Sequence, residues 1–261
     1  MTKSGTTHIG SRDNGWWKEL RRLTQDSNAY RKQGRVWLEG DHLCRAALQR
    51  GVQPHTAVFA ESFWQLAPAN WSQCASKVVV LEDRLFADIS ALESPAQVGF
   101  VLDLGSVMPE LMQIKADAPS VVLDRVQDAG NVGSILRSAS AFGFKQVLAL
   151  KGTAALWSPK VLRAGMGAHF GLQLFEGLDV VELDRLAMPL ITTSSHQGGL
   201  LHQQRLPMPC AWALGHEGQG VGEAVAARAT LQVRIAQPGG EESLNVAAAA
   251  AICLHASASA L

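Results

Sequence analysis

Long apolar runs are absent from this 261-residue sequence. The longest uninterrupted one, Val246 to Leu254, is far shorter than the roughly 20 residues that a helix needs to cross a bilayer. The first residues, MTKSGTTHIGSRDNGWW, also lack the apolar core of a secretion signal. We therefore expect a cytoplasmic protein that has no membrane partner.

Cysteine is scarce as well. The four cysteines, Cys44, Cys74, Cys210 and Cys253, are widely separated. They form no CxxC pair, and no histidine stands at the spacing of a zinc-binding motif. This pattern argues against a zinc site and against a disulfide framework. We expect reduced, mostly buried thiols and no bound metal.

The chain has no net charge, but its charges are unevenly distributed. Up to Arg35 there are eight basic and three acidic residues, so this segment carries +5 and the remainder −5. The basic residues are Lys3, Arg12, Lys18, Arg21, Arg22, Arg31, Lys32 and Arg35. A basic arm over residues 1–35 suggests a polyanionic partner such as a nucleic acid, although solvated basic segments are common.

Two α/β segments follow this arm. Residues 36–104 contain a strand and a helix in VWLEGDHLCRAALQRG and three more strand-like runs, TAVFA, KVVVLE and QVGFVLDL. The next stretch, GSVMPELMQIKADAPS, is richer in glycine, proline and polar residues, which predicts a linker within residues 105–118. From residue 119 to 261 apolar strands alternate with helices, which favours a parallel sheet covered on both faces. In such sheets ligands bind beyond the carboxyl ends of the strands.

Polar residues follow three of the strands in this second segment. The first strand, SVVLDRV, leads into QDAGNVGSILRSASAFG. There Asn131 occupies a position typical of a helix N-cap, and Arg137 lies within reach of the ligand side. Taken alone, this segment is explained slightly better as a capped surface helix with a solvated arginine.

The other two strand ends are AWALGHEGQGVGEAV and RIAQPGGEESLNV. Glycines in the first allow a tight turn that holds Glu217, but its spacing fits neither a Walker loop nor a dinucleotide fingerprint. The second enters an alanine-rich helix near Ser243 and Asn245, either of which could cap it. Because Ala247 to Ala251 lack bulk, this helix can approach another backbone closely, in a second subunit or in the same chain.

Together, these motifs resemble the SpoU/TrmH family of RNA ribose 2'-O-methyltransferases, within the SPOUT superfamily. The resemblance is carried by NVGSILRSASAFGF, LGHEGQGV and ESLNVAAAAAICL, in this order, and by VLRAGMGAHFGL between the first two. It spans roughly residues 120–258. Upstream, VWLEGDHLCRAAL and SPAQVGFV resemble the small ribosomal-protein-L30-like α/β substrate-binding domain of many members.

The resemblance implies a trefoil-knotted parallel-sheet methyltransferase domain, S-adenosyl-L-methionine as methyl donor, and a homodimer. It implies an enzyme that methylates a ribose 2'-hydroxyl of structured RNA. The amino-terminal domain and basic arm favour ribosomal RNA over transfer RNA. The rival interpretation is a non-catalytic knotted protein that binds RNA or assists ribosome assembly.

The site residues implied by the resemblance fall into three groups. Gly215, Ile235 and Leu244 are expected to line the donor pocket. Asn131 and Arg137 are expected to face the target ribose, with Glu217, Ser243 and Asn245 completing the catalytic site. The candidate RNA contacts are Arg22, Arg31, Lys32 and Arg163. A free arginine is a poor base, so Arg137 is expected to orient the hydroxyl and stabilise developing negative charge. The general base stays open between Arg137, an RNA phosphate and another group.

Three positions depart from the family pattern. His216 stands where asparagine is frequent, and Gly165 stands where serine is usual. Ile235-Ala236-Gln237 replaces the common Ile-Pro-Met, so the backbone of the donor loop is expected to differ. None of these departures removes a residue with a proposed chemical role.

Overall fold

The computed structural model describes residues 5–92, 94–194, 197–239 and 243–259. The chain folds into two compact units. The first contains the residues up to Met108 together with residues 157–170, and the second contains residues 109–156 and those from Gly171 onward. Each unit combines a β-sheet with helices, which confirms the predicted α/β class.

The first unit is built on a sheet with strand order β1-β4-β3-β5-β2. Strands β1, β4 and β3 are parallel, whereas β5 runs antiparallel to β3 and β2. The strands are β1 (Thr6–Ile9), β2 (Arg35–Glu39), β3 (Thr56–Ala60), β4 (Lys77–Leu81) and β5 (Val98–Asp103). The helices before residue 108 are α1 (Gly15–Gln25), α2 (Ala29–Gln33), α3 (Asp41–Gln49), α4 (Glu61–Trp64), α5 (Ala69–Gln73) and α6 (Asp83–Ala87).

The second unit is built on a parallel sheet with strand order β10-β12-β9-β11-β6-β7-β8. Every described strand pair in it is parallel, as the alternating pattern predicted. The strands are β6 (Ser120–Asp124), β7 (Gln146–Leu150), β8 (Gln173–Leu178), β9 (Leu190–Thr193), β10 (Gly199–Leu200), β11 (Ala211–Gly215) and β12 (Leu231–Arg234). The remaining helices are α7 (Ala129–Ala141), α8 (Pro159–Gly165), α9 (Glu223–Ala226) and α10 (Val246–Ala258), of which α8 belongs to the first unit. Short 3-10 helices span Leu104–Ser106, Leu111–Gln113, Ala168–Gly171, Val180–Arg185 and Leu201–Gln203.

The stretch predicted to be a basic arm, residues 1–35, is part of the first unit over its described residues. Strand β1 pairs with β4 at the edge of the sheet. Helix α1 buries Trp17, Leu20 and Leu23, and the Trp17 indole N–H donates to the carbonyl of Leu85 at 3.2 Å. The apolar side chains lie on one face of this helix, so its basic residues occupy the other face. The segment with excess positive charge therefore contains an amphipathic helix.

Helix α8 packs in the first unit against β2 and α1, although residues 119–261 were predicted to form one domain. Ser158 caps the helix, and Val161 and Leu162 are buried. The departure at Gly165 has a steric reason, because a Cβ there would overlap the ring of His169. That ring is buried against Trp157, with 5.2 Å between the ring centroids.

The start of helix α7 differs from the prediction. Asn131 is not its N-cap, because the helix begins at Ala129 and Asp128 caps it. The Asp128 carboxylate accepts a hydrogen bond from the backbone N–H of Asn131 at 2.7 Å. The side chain of Asn131 is thereby left for other partners. Asp128 was the better cap because its carboxylate also complements the positive end of the helix.

Helix α10 packs against α7 and against β11 of the same chain. Its alanine-rich face allows this approach, as the sequence suggested. Asn245 is its N-cap and accepts hydrogen bonds from the N–H groups of Ala247 and Ala248 at 2.9 and 3.2 Å. Near its other end, the buried Ser257 hydroxyl accepts a hydrogen bond from the indole N–H of Trp212 on β11 at 2.9 Å. The helix is thus held by a polar contact at each end.

Replacing Ser257 by alanine leaves the buried Trp212 indole N–H without an acceptor. We expect Ser257→Ala to lower the free energy of unfolding by about 1–3 kcal/mol, the usual cost of an unsatisfied buried donor. Denaturant unfolding followed by tryptophan fluorescence measures the change.

Ser259→Ala is the matched control, since Ser259 lies exposed on the same helix end. The double variant Trp212→Phe/Ser257→Ala should recover part of the loss, because no donor is then left unpaired. A Ser257→Ala chain as stable as wild type would contradict the anchoring role of this contact.

Candidate active site

A cavity of about 480 Å³ lies in the second unit, where strands β9, β11 and β12 end and helix α10 begins. This is the carboxyl edge of the parallel sheet, the place where such folds bind ligands. Its wall draws residues from within four segments, 192–194, 214–221, 232–237 and 243–249, and from Ala226 of α9. Two of the three motif regions therefore line one cavity.

The glycine turn, residues 215–222, forms one side of this cavity. His216 and Gly220 exchange two backbone hydrogen bonds, of 3.0 and 2.8 Å, which close the turn. A Cβ on Gly215 would overlap the backbone of Gly220 and Val221, so glycine is required there. Gly220 has a φ of +67°, a conformation that side chains disfavour.

The departure at His216 is compatible with this turn. Its Nδ1 accepts hydrogen bonds from the N–H groups of Gly218 and Gln219 at 3.0 and 3.3 Å. An asparagine side-chain oxygen bonds backbone N–H groups in the same way in Asx-turns. Histidine thus supplies the acceptor that an asparagine could offer at this position.

Glu217 connects the glycine turn to the start of α7. Its carboxylate accepts hydrogen bonds from the backbone N–H groups of Gln127 and Asp128 at 3.3 and 3.1 Å, and from Asn131 Nδ2 at 3.1 Å. Asn131 Oδ1 in turn accepts a hydrogen bond from Asn245 Nδ2 at 2.9 Å. Because Asn245 caps α10, one chain of hydrogen bonds joins the turn, α7 and α10.

These contacts stabilise the ionised form of Glu217. Desolvation of this exposed residue opposes the charged form, but the hydrogen bonds from Asp128, from its own backbone N–H, and from Asn131 and Gln127 outweigh it and lower the pKa of the Glu217 carboxyl. A carboxylate that accepts several N–H donors is a weak base. Its geometry therefore fits a group that positions its neighbours.

Of the remaining site candidates, four line the cavity and Arg137 does not. Gly215, Ile235, Ser243 and Leu244 all line it. Arg137 is exposed on α7, is not among the described lining residues, and has no hydrogen bond or ion pair to a described side chain. The motif that carries Asn131 thus meets the other two motifs, whereas its arginine faces solvent.

The four candidate RNA contacts lie in the first unit. Arg22 is exposed in the last turn of α1, and Arg31 and Lys32 are exposed on α2. The Arg31 guanidinium lies 5.3 Å from the ring centroid of Tyr30. Arg163 is half-buried in the last turn of α8.

Several residues near the cavity were missed from the sequence. Among the described residues, Thr192 Oγ1 and Gln237 Oε1 are buried without a hydrogen-bond partner, and both residues line the cavity. Asp124 and Arg125, at the end of β6, form hydrogen bonds with Gly222 and Gln219 of the glycine turn and do not line the cavity themselves. The strand-end rule could have found Asp124, whereas nothing in the sequence marks Thr192.

The cysteines match the prediction of mostly buried thiols. Cys44, Cys210 and Cys253 are buried, Cys74 is half-buried, and all four are free. Burial raises the pKa of Cys210 to about 11 and that of Cys253 to about 12, so both stay protonated.

Within the described ranges, no group of three or more histidine, cysteine, aspartate or glutamate side chains is arranged to hold a metal ion. No helix in that same part of the chain is both long enough and apolar enough to span a bilayer.

The fold and the cavity define a mixed α/β protein with a ligand-sized site at the carboxyl edge of a parallel sheet. Residues 118–255 match the model of the SpoU rRNA Methylase family, and residues 14–99 match the MRM3-like substrate binding domain. The first match covers more than half of the sequence. The chain belongs to the SpoU rRNA methylase family.

Individual relatives agree with this assignment. The chain is 35% identical to rRNA methyltransferase 3, mitochondrial, of Xenopus tropicalis over 57% of its length, but it spans only 37% of that relative. It is 31% identical to the 23S rRNA (guanosine(2553)-2'-O)-methyltransferase RlmP of Bacillus subtilis, over 92% of this chain and 93% of the relative. A crystal structure of an AdoMet-bound rRNA methyltransferase from Sinorhizobium meliloti superposes with a TM-score of 0.82 at 25% identity, covering 97% of each chain.

The low pKa of Glu217 predicts a pH-dependent contribution to stability. Because the folded state holds the carboxylate ionised, this contribution is present at neutral pH and is lost as the pH falls through the pKa of the folded state. We expect Glu217→Gln to be less stable than wild type at pH 7, since its NH₂ group cannot accept the N–H of Gln127. The difference should shrink below the ordinary glutamate pKa of about 4.3.

Unfolding curves recorded between pH 3 and pH 7 measure this difference. Glu182→Gln, which alters a partly exposed ion pair with Arg185, controls for the loss of one negative charge. If the difference in the free energy of unfolding between wild type and Glu217→Gln stays constant with pH, the Glu217 carboxylate does not contribute the expected pH dependence.

Proposed function

We propose that this protein transfers a methyl group from S-adenosyl-L-methionine to a ribose 2'-hydroxyl of structured RNA, with ribosomal RNA favoured over transfer RNA. The observation that carries the proposal is the hydrogen-bond chain Glu217–Asn131–Asn245, which joins all three family motifs beside one cavity. The 2'-O activity in the name of the Bacillus subtilis relative supports it.

The cavity has the size and chemistry to hold the methyl donor. Its volume of about 480 Å³ falls in the usual range of small-molecule sites, about 300–1,000 Å³. Two buried acceptors, Thr192 Oγ1 and Gln237 Oε1, have no partner among the described residues and could accept N–H groups of the donor. Apolar contact to its adenine would come from Leu214, Ile235, Leu244 and Val246.

When bound, S-adenosyl-L-methionine supplies a methyl group activated by a sulfonium. The chain's own residues then have to align the ribose hydroxyl and manage its proton. We assign charge stabilisation to Arg137, whose guanidinium has no described partner and is free to meet RNA. Ser243, exposed on the cavity wall, is positioned to contact the ribose or the donor.

We assign Glu217, Asn131 and Asn245 to positioning. Each uses its polar atoms on protein neighbours, and together they fix the turn against the starts of α7 and α10. Asn131 and Asn245 each keep one amide hydrogen that could reach the ribose. The low pKa of Glu217 argues against its serving as the general base.

Three finer features belong to the same proposal. We infer a trefoil knot, which the match to the SpoU rRNA Methylase family implies. We infer a homodimer through α10, where Ile252 is 41% exposed beside an apolar hollow formed with Leu201 and Ile235. The four free cysteines support a reducing compartment, such as the cytoplasm.

RNA binding is assigned to the first unit. Its match to a substrate binding domain and the exposed cations Arg22, Arg31 and Lys32 support this role, with Arg163 as a further contact. We keep the predicted domain limits, a substrate-binding domain at 36–104 and a methyltransferase domain from 119, as a proposal, except that residues 157–170 belong to the first unit. To these we add residues 6–35 as part of the substrate-binding domain.

Methyl transfer can be tested with purified protein, labelled donor and ribosomal or transfer RNA, followed by nuclease digestion and identification of 2'-O-methylated nucleosides. We expect label in ribosomal RNA. Arg137→Ala should lower the single-turnover rate about a hundredfold or more, as expected for loss of a group that stabilises transition-state charge. The dissociation constant of the donor should stay within about twofold, because Arg137 does not line the cavity.

Arg205→Ala, which removes another exposed arginine of the second unit, is the matched control. Near-normal transfer by Arg137→Ala would remove Arg137 from the mechanism. Donor binding without methylation of any RNA would favour the non-catalytic alternative.

Removing the buried Thr192 hydroxyl is expected to affect folding stability and affinity for S-adenosyl-L-methionine in different ways. We expect Thr192→Val to be at least as stable as wild type, since it removes an unpaired buried hydroxyl. It should weaken donor binding about three- to tenfold, the value of one hydrogen bond. Calorimetric titration measures the affinity.

Thr230→Val is its control, because the Thr230 hydroxyl donates to the carbonyl of Leu190 and does not line the cavity. This variant should lose stability without losing affinity. Unchanged donor affinity in Thr192→Val would exclude the hydroxyl as a ligand contact.

A further inference from the structure

A buried carboxylate lies directly behind the glycine turn. Asp124, the last residue of β6, is only 4% exposed. Its Oδ2 accepts a hydrogen bond from the backbone N–H of Gly222 at 2.6 Å, across 98 residues of sequence. Asp124 is not among the described residues that line the cavity, so any effect on a ligand must act through the turn.

Arg125 completes this contact. Its Nε donates to Asp124 Oδ1 at 3.0 Å, and its Nη1 donates to Gln219 Oε1 at 3.0 Å. The residue has a φ of +60°, which is uncommon for a residue with a Cβ. Its backbone N–H donates to Thr153 Oγ1 at 3.1 Å, which helps to hold this conformation. Such strain persists where the surroundings determine it, often at functional sites.

The glycine turn rests closely on these two side chains. A Cβ on Gly222 would lie 2.9 Å from Arg125 Nη2 and 3.0 Å from Asp124 Oδ2. With the contacts of Glu217 to Gln127 and Asp128, the segment from β6 to α7 holds the turn at three points, Glu217, Gln219 and Gly222.

We propose that Asp124 and Arg125, here named the Asp124–Arg125 clamp, are positioning residues that fix the glycine turn and thereby set the affinity of the cavity for S-adenosyl-L-methionine. This inference rests on the proposed function, which supplies the ligand. Charge-assisted hydrogen bonds are stronger than neutral ones, so the clamp restricts the backbone of the turn before a ligand arrives. A wall that is already ordered loses less conformational freedom on binding.

The test is the substitution Asp124→Asn. It preserves the shape of the side chain, but one of its two acceptor positions becomes an NH₂ group that faces an N–H group. We expect the dissociation constant of S-adenosyl-L-methionine, measured by calorimetry, to rise about tenfold. The methyl-transfer rate at saturating donor should change less than about threefold, since the reacting groups remain in place.

Asp184→Asn is the control for removing a carboxylate that is paired with an arginine. Asp184, which is exposed, forms a two-pronged pair with Arg228 in the same unit, at 2.8 and 3.3 Å, and does not line the cavity. This variant should leave the dissociation constant unchanged.

A second variant and a second measurement cover the case in which Asp124→Asn does not fold. Arg125→Met keeps most of the side-chain length of this partly exposed residue while removing its contacts to Asp124 and Gln219. We expect weaker donor binding here too. Hydrogen exchange in the absence of donor should be faster in residues 216–222 of either clamp variant than in wild type or Asp184→Asn.

Folded clamp variants that lose thermal stability but bind the donor as tightly as wild type would overturn the proposal, since they would indicate a merely structural role. Unchanged exchange in the turn would overturn it as well. A wild-type chain that binds no donor would contradict the proposed function itself, and with it the ligand named here.

Discussion

The candidate site depends on the Asn131 side-chain amide. Its nitrogen donates to Glu217 on the glycine turn, and its oxygen accepts from Asn245 at the start of α10, across 86 and 114 residues of sequence. An amide suits this position because it offers a donor and an acceptor at once. Aspartate would set an acceptor against the Glu217 carboxylate, and leucine would offer neither group. Three parts of the chain that are far apart in sequence thus become one site through a single side chain.

Much of the fold could be predicted because short apolar runs indicate buried strands. The strands SVVLD, QVLAL and AWALG are buried on both faces, as central parallel strands must be. For the amino-terminal segment the charge pattern predicts a basic arm, whereas residues 6–35 include β1, α1 and α2. In α1 the basic residues share a helix with the buried side chains of Trp17, Leu20 and Leu23. Net charge alone does not reveal which face of a helix is apolar.

The site was predictable to a smaller extent. Glycines in LGHEGQGV and the cap at Asn245 leave a local signal, since each satisfies a backbone requirement of its own segment. The cap of α7 was placed at Asn131 although the chain offers Asp128 just before it. The contact between Asp124 and Gly222 leaves no such signal, because a carboxylate after a strand has many possible partners. Nor could periodicity show that the Thr192 hydroxyl lacks a partner, since that follows from packing.

The near-uniform surface of α10 has a consequence for how the helix is oriented. Interlocking of large and small side chains usually fixes the rotation of a helix about its own axis, and a run of alanines provides little of it. Here hydrogen bonds, at Asn245 near one end and between Ser257 and Trp212 near the other, fix the rotation together with the buried side chains of Cys253 and Leu254. A hydroxyl at the far end of the helix therefore helps to decide which methyl groups, among them that of Ala249, face the cavity. Because the alanine-rich surface permits close packing with little interlocking, polar groups help to set the rotation of the helix about its axis.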